Sequence, residues 1–170
     1  MAAVLITGAN EDSGVETARQ LVLAGHTVWL GGGDTGGVQA AASTAGARFV
    51  RLDAGSDESV AAAAEVVREL DVLVNNAGVA AESFGSALTD VVRVLQAFLP
   101  LLERSTSPVV VNVGSRTATE SKAAVAMATV EYAKAFPRMR INAVEQDAGT
   151  VTRMAQIGQD GPSGGYFSDV

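Results

Sequence analysis

Several carboxylates follow short apolar runs, where a strand would end: Glu11 and Asp12 early in the chain, Glu120 in its middle, Glu145 and Asp147 later. Asn10, Ser115, Arg116, Thr117 and Lys122 are their polar companions in the same segments. Carboxylates crowded in a partly apolar cleft have their pKa values pushed apart, so that one serves as an acid and another as a base. Asp147 and Glu120 are the acid/base candidates, with Ser115 and Lys122 to polarise a carbonyl. Such a set suits isomerisation, dehydration, aldol-type cyclisation or another step that needs no cofactor. The plain alternative is that each carboxylate is a solvated loop charge. Carboxylates also hold Mg2+ through oxygen ligands, but no spacing here is diagnostic of a metal, and none is expected.

These residues share a cleft only if the fold gathers the strand ends. Strands are expected at 2–7, 27–30, 48–52, 72–74, 109–113 and 140–144. Helices are expected at 13–24, 35–45, 57 to about 70, 87–103 and 120–135, with Gly25 and Ser56 as caps. The tail from Gly158 is glycine-rich, and Gly165-Tyr166-Phe167 is a candidate last edge strand. Apolar strands alternating with helices predict βαβ units. The fold class is therefore α/β: a doubly wound, Rossmann-like parallel sheet of six to seven strands with helices on both faces. One domain over 1–170 accounts for the length. In such sheets ligands bind outside the carboxyl ends of the strands.

Composition narrows the chemistry. There are no cysteines, which excludes disulfides, thiolate metal sites and cysteine nucleophiles. The net charge is −7, without a basic cluster, so neither nucleic acid nor an anionic membrane is an expected partner. The N-terminus lacks a basic segment and reads as strand, which makes a cytoplasmic location the default expectation. His26 precedes the second strand, away from the cleft, and reads as structural.

Six motifs recur in order along nearly the whole chain. They are Val4-Leu5-Ile6-Thr7-Gly8-Ala9-Asn10, Leu52-Asp53, Asn75-Asn76-Ala77-Gly78, Asn112-Val113-Gly114-Ser115, Ser121-Lys122-Ala123-Ala124 and Arg140-Ile141-Asn142-Ala143-Val144. Together they resemble the short-chain dehydrogenase/reductase family. The resemblance implies a nicotinamide dinucleotide held by Thr7, Gly8, Gly14, Asp53, Asn75, Ala77 and Gly78, if a nucleotide is still bound. It also implies Ser115 orienting a carbonyl and Lys122 holding a ribose while lowering the pKa of a tyrosine four residues earlier. A homodimer or homotetramer, with helix 120–135 as the surface, follows from the same resemblance.

The sequence departs from that pattern in telling places. Asp12 stands where the family has the middle glycine of its phosphate turn. A carboxylate about 5 Å from a phosphate costs roughly 3 kcal/mol at an effective dielectric near 20, although Asp12 or Ser13 also suits the start of a helix. Gly33 cannot hold a 2′-phosphate, and Asp34 reads as a turn residue. Gln146-Asp147 replaces a Pro-Gly, and Ala118 occupies the tyrosine position. Tyr132 falls inside the following helix and Tyr166 in the tail, so neither is expected near the site. The resemblance implies a usually longer chain, with the missing length expected after Gly78, between Ser115 and Lys122, and after Val144.

Losing a general acid/base alone removes about 10²–10⁴ in rate. The reading preferred from sequence is therefore a family-derived enzyme without hydride transfer, binding no cofactor and acting on a small apolar molecule. An NAD(P)-dependent oxidoreductase with a displaced acid is the second reading, supported by Ser115, Lys122, Asp53 and the Asn75–Gly78 motif. A non-catalytic binding or assembly protein is the third.

Overall fold

A computed structural model describes residues 1–9, 12–33, 35–76 and 83–168, with Asp12 and Thr35 described by their backbone alone. Strands β1 (Ala3–Ile6), β2 (Thr27–Gly32), β3 (Arg48–Arg51), β4 (Val72–Asn75), β5 (Val109–Gly114), β6 (Arg140–Glu145) and β7 (Tyr166–Phe167) build one sheet. Its order is β3-β2-β1-β4-β5-β6-β7, and every pairing is parallel. The central strands β4 and β5 are buried at every position. Burial on both faces is why they read as continuous apolar runs rather than as alternating ones.

Helices α1 (Asp12–Leu23), α2 (Thr35–Ala45) and α6 (Ala148–Ala155) cover one face; α3 (Asp57–Val67), α4 (Phe84–Leu102) and α5 (Thr119–Ala135) cover the other. Each layer closes its own core. Leu21, Leu30 and Val111 lie in the first, and Leu5, Phe98 and Ile141 in the second. Local chemistry sets the helix ends. Gly25, at φ 87°, closes α1, where His26 N–H reaches back to the Leu21 carbonyl at 3.1 Å. Ser56 caps α3 by accepting from Ser59 N–H at 3.2 Å, and Asp57 and Glu58 complement the positive end. Ser83 and Ser86 form a capping box at α4.

By length and composition α4 is apolar enough to cross a membrane, yet Val91, Val94, Leu95 and Phe98 bury it in the core. Its Arg93 pairs with Asp57 of α3 and with Asp90 one turn back. His26 is structural, as its Nδ1 accepts from Ala2 N–H at 3.2 Å.

Some boundaries differ from expectation. Glycines 31 and 32 extend β2 because the chain stays paired with Val50 and Arg51 of β3. Helix α3 stops at Val67, where Arg68 turns to φ 61°. Helix α6 was not expected at all: it is eight residues long and contains Gly149 and two threonines. Its one sequence cue is Asp147, which caps it. The edge strand near Tyr166 does form, parallel to β6. The strand order reverses direction between β1 and β4, and this is the switch point where doubly wound sheets hold ligands.

Candidate active site

At the switch point the polar side chains tie strands together. Thr7 Oγ1 accepts from Asn76 N–H at 3.1 Å, and the Asn76 amide donates to the Gly8 carbonyl at 3.0 Å. Gly8 sits at φ 60°, and a Cβ there would meet the Asn76 carbonyl oxygen at 2.9 Å. Only glycine fits such a turn. Asn75, fully buried, donates to the Val91 carbonyl of α4 at 3.0 Å. Thr7, Gly8 and Asn75 thus hold β1, β4 and α4 together. Gly14 lets α1 pass the turn, since a Cβ there would stand 3.2 Å from Ala9 Cα. Ala77, Gly78, Asn10, Glu11 and Asp34 lie outside the described residues, as does the side chain of Asp12.

Asp53 follows β3 and is exposed. Its carboxylate accepts from Gly55 N–H at 2.9 Å, and its own N–H donates to Ser59 Oγ at 3.0 Å. Beside it, among the described residues only Asp53 Cβ comes within 4 Å of a side-chain position on Gly33. Between these residues and β5 the crevice narrows. The Gln146 amide reaches Ser13 Oγ at 3.3 Å, and the cavity that Ser13, Gly14, Asn76 and Gln146 line is about 10 Å³. That is room for one water.

The corner of β5, β6 and β7 is built differently. Ser115, only 7 % exposed, leaves β5, and its N–H donates to Ser121 Oγ at 3.3 Å. Its Oγ accepts from Thr117 N–H at 3.3 Å and Ala118 N–H at 3.2 Å, a turn that launches α5. From the start of α5, Lys122 Nζ crosses to Glu145 Oε1 at 2.7 Å. Glu145 ends β6 directly opposite Gly114 of β5. A tyrosine stands here too. A Cβ on Gly114 would lie 3.2 Å from Tyr166 Oη and 3.4 Å from Lys122 Cα. The expectation that neither tyrosine lies near is therefore corrected, because β7 carries the tail back alongside β6. Burial raises the Tyr166 pKa above its ordinary value of 10.0, and the Glu145 charge raises it further.

Of the four residues expected to do chemistry, Ser115 and Lys122 both belong to this corner, Ser115 in the turn and Lys122 on Glu145. The other two serve helix termini. Asp147 Oδ2 accepts from Thr150 N–H at 2.7 Å as the cap of α6. Glu120 is exposed in the first turn of α5, where an acid complements the helix dipole. The carboxylate that reaches Lys122 is Glu145, named in the sequence only as one strand-end acid among several. Its cue was its place at the end of β6. Among the described residues no three His, Asp or Glu side chains are grouped to hold a metal ion.

The chain's relatives account for this arrangement. Residues 2–157 match the family described as short chain dehydrogenase, so the chain belongs to the short-chain dehydrogenase/reductase family. No curated protein sequence matches it. Solved structures share its fold at low identity. Menthone neomenthol reductase from Mentha piperita is 23 % identical, with a TM-score of 0.87 covering 98 % of each chain. Salutaridine reductase from Papaver somniferum is 20 % identical, with a TM-score of 0.86 covering 98 % of this chain and 99 % of that one. An NADPH-bound short chain oxidoreductase from Pseudomonas aeruginosa PAO1, described as containing an atypical catalytic center, is 20 % identical. Its TM-score is 0.83 over 98 % of this chain and 94 % of its own.

The nicotinamide dinucleotide that the family usually binds can be tested against these residues. Gly33 and Asp53 leave one end open, and Lys122 and Ser115 stand at the other. Gln146 crowds the middle, where its amide reaches Ser13 Oγ at 3.3 Å, and a bound nucleotide would have to displace it. Among the described residues the lining fits the group once Gln146 moves, and the side chain of Asp12 in the phosphate turn lies outside them.

Proposed function

We propose that this chain is an NAD(P)-dependent oxidoreductase acting on the carbonyl or hydroxyl group of a small organic molecule. The observation that carries it is the placing of Ser115 at the end of β5 and of Lys122, held on Glu145, at the end of β6, in a chain of this family. The nucleotide would supply or accept the hydride. Asp53 would line the adenine side, Lys122 would hold the ribose beside the nicotinamide, and Ser115 would orient the substrate oxygen. The family match weighs against the cofactor-free preference drawn from the sequence.

Calorimetric titration with NADPH and with NADH tests the reading. Saturable binding is expected for at least one of them, together with consumption of the reduced nucleotide over a panel of small ketones and aldehydes. Failure of both nucleotides to bind at millimolar concentration would sink it. In that event cofactor-free acid/base chemistry becomes the better reading. What favours that second reading is the Gln146–Ser13 contact across the crevice, beside the Lys122–Glu145 ion pair.

A further inference from the structure

We propose that Tyr166, returned to the site by β7, is the proton donor to the substrate oxygen; this rests on the oxidoreductase reading above. Its position is the first argument. Tyr166 lies opposite Ala143 of β6, and Phe167 packs into the core beneath α6. Neighbouring residues of a strand point to opposite faces, so Tyr166 faces α5. Its Oη occupies space that any side chain on Gly114 would contest, under the start of α5 and one residue from Ser115.

The second argument is anchorage. A catalytic group must be held by its surroundings, and the segment before Tyr166 is tied to β6 at every step. Buried Asn142 donates to the Pro162 carbonyl at 2.8 Å and accepts from Gly165 N–H at 3.1 Å. Gly164 N–H donates to the Ile141 carbonyl at 2.7 Å, and Ala143 N–H to the Gly165 carbonyl at 2.8 Å. Ile141 N–H reaches Ser163 Oγ at 3.1 Å. A tail with no role at the corner would not need so many bonds to the strand that ends there.

The third argument is chemical. Hydride addition to a carbonyl carbon drives the C=O electron pair onto oxygen, which then needs a proton. The phenol gives it: the Tyr166 O–H bond breaks, the alcohol O–H bond forms, and the phenolate is reprotonated from water on its outer, 38 % exposed side. Among the described residues the charge acting on the phenol is Glu145 of β6, whose carboxylate holds the Lys122 ammonium of α5, and on β5 the neighbour is Gly114. Because Glu145 pairs with Lys122, the cation is not free to draw Tyr166 into its phenolate form. The resting phenol is therefore protonated at neutral pH, the form that reduction requires. Alcohol oxidation needs the phenolate and is expected to become appreciable only at alkaline pH.

The chain holds two tyrosines, so a Tyr132→Phe protein has one phenol, and ultraviolet titration reads Tyr166 without any cofactor. Its midpoint should lie above that of free tyrosine, fall on adding Glu145→Gln, and rise again when Lys122→Met is added to both. A midpoint indifferent to Glu145→Gln would overturn the proposal. So would a Tyr166→Phe enzyme that keeps its turnover. The expected result is a loss of about 10²–10⁴-fold in kcat with nucleotide affinity and circular dichroism unchanged. If the unaltered chain binds neither nucleotide, the oxidoreductase reading falls by itself, and the proton-donor assignment for carbonyl reduction falls with it. A Tyr166 midpoint that still answered to Glu145 would then show that the oxidoreductase reading, not the placement of Tyr166, had failed.

Discussion

Along the carboxyl edge of the sheet, the switch point and the β5–β6–β7 corner use polar side chains in opposite ways. At the switch point Thr7, Asn75 and Asn76 turn inward and bond to backbone, so that β1, β4 and α4 are locked. At the corner Lys122 bonds Glu145 side chain to side chain, while Ser115 stabilises the turn into α5 by accepting from Ala118 N–H. The first region is a frame that a ligand can lie against. The second is a set of groups whose charge can change. A family motif kept at the first therefore says little about chemistry, because the frame alone accounts for those residues. A pairing at the second, such as Lys122 with Glu145, says more.

Asp12 is the strongest test of that contrast. If the switch point is a frame whose nucleotide affinity is limited by one misplaced charge, Asp12→Gly should tighten NADPH binding about a hundredfold, or roughly 3 kcal/mol, at low salt. The gain should shrink as salt screens the charge. Calorimetric titrations across ionic strengths would show it. An affinity unchanged by the substitution would mean that the carboxylate already points away from the phosphate, and that the frame is intact.

Gly165 tests the corner. A Cβ there would meet the Phe167 ring at 2.6 Å, far inside contact distance. Gly165→Ala must therefore shift Phe167 or lift β7, at a cost of about 1–3 kcal/mol as in other overpacked sites. The melting temperature should drop and any reductase turnover should drop with it, since Tyr166 rides on the same strand. A stability loss without loss of turnover would separate β7 from the chemistry.

The sequence showed the frame better than the corner, for a physical reason. Strand and helix alternation is written locally in apolar period and glycine punctuation, and the six family motifs mark the strand ends one by one. The pairing at the corner is not local. Glu145 meets Lys122 only because β6 lies beside β5, and Tyr166 arrives only because β7 adds to that edge. Ala118, four residues before Lys122, correctly signalled that the local tyrosine was gone, but spacing along the chain could not show one returning from the tail. Asp147 misled in the opposite direction. A carboxylate after a strand end looks reactive until the next residues prove to be a helix, and α6 was hidden by its short length and its Gly149 and threonines. Asn142, read only as part of a motif, turned out to be the clamp on the tail.

Gln146 lies between the two regions and decides how far they are separate. Its amide spans from the end of β6 to Ser13 at the start of α1 with a 3.3 Å contact. A neutral hydrogen bond contributes about 0.5–1.5 kcal/mol, so loss of the Ser13 contact in Gln146→Ala should lower the melting temperature by a few degrees. Its effect on nucleotide binding should be a gain of about tenfold, since the Ser13 bond no longer has to be broken when the nucleotide enters. The substitution also removes bulk from the cavity lined by Gly14, Asn76 and Val113. In the Asp12→Gly background the two gains should add, because one is a charge effect and the other a displaced side chain. If Gln146→Ala alone exceeded the Asp12→Gly gain, steric closure rather than charge would limit the crevice. The corner would then control nucleotide entry through β6, and Gln146 would belong with Glu145 and Tyr166 rather than with the frame.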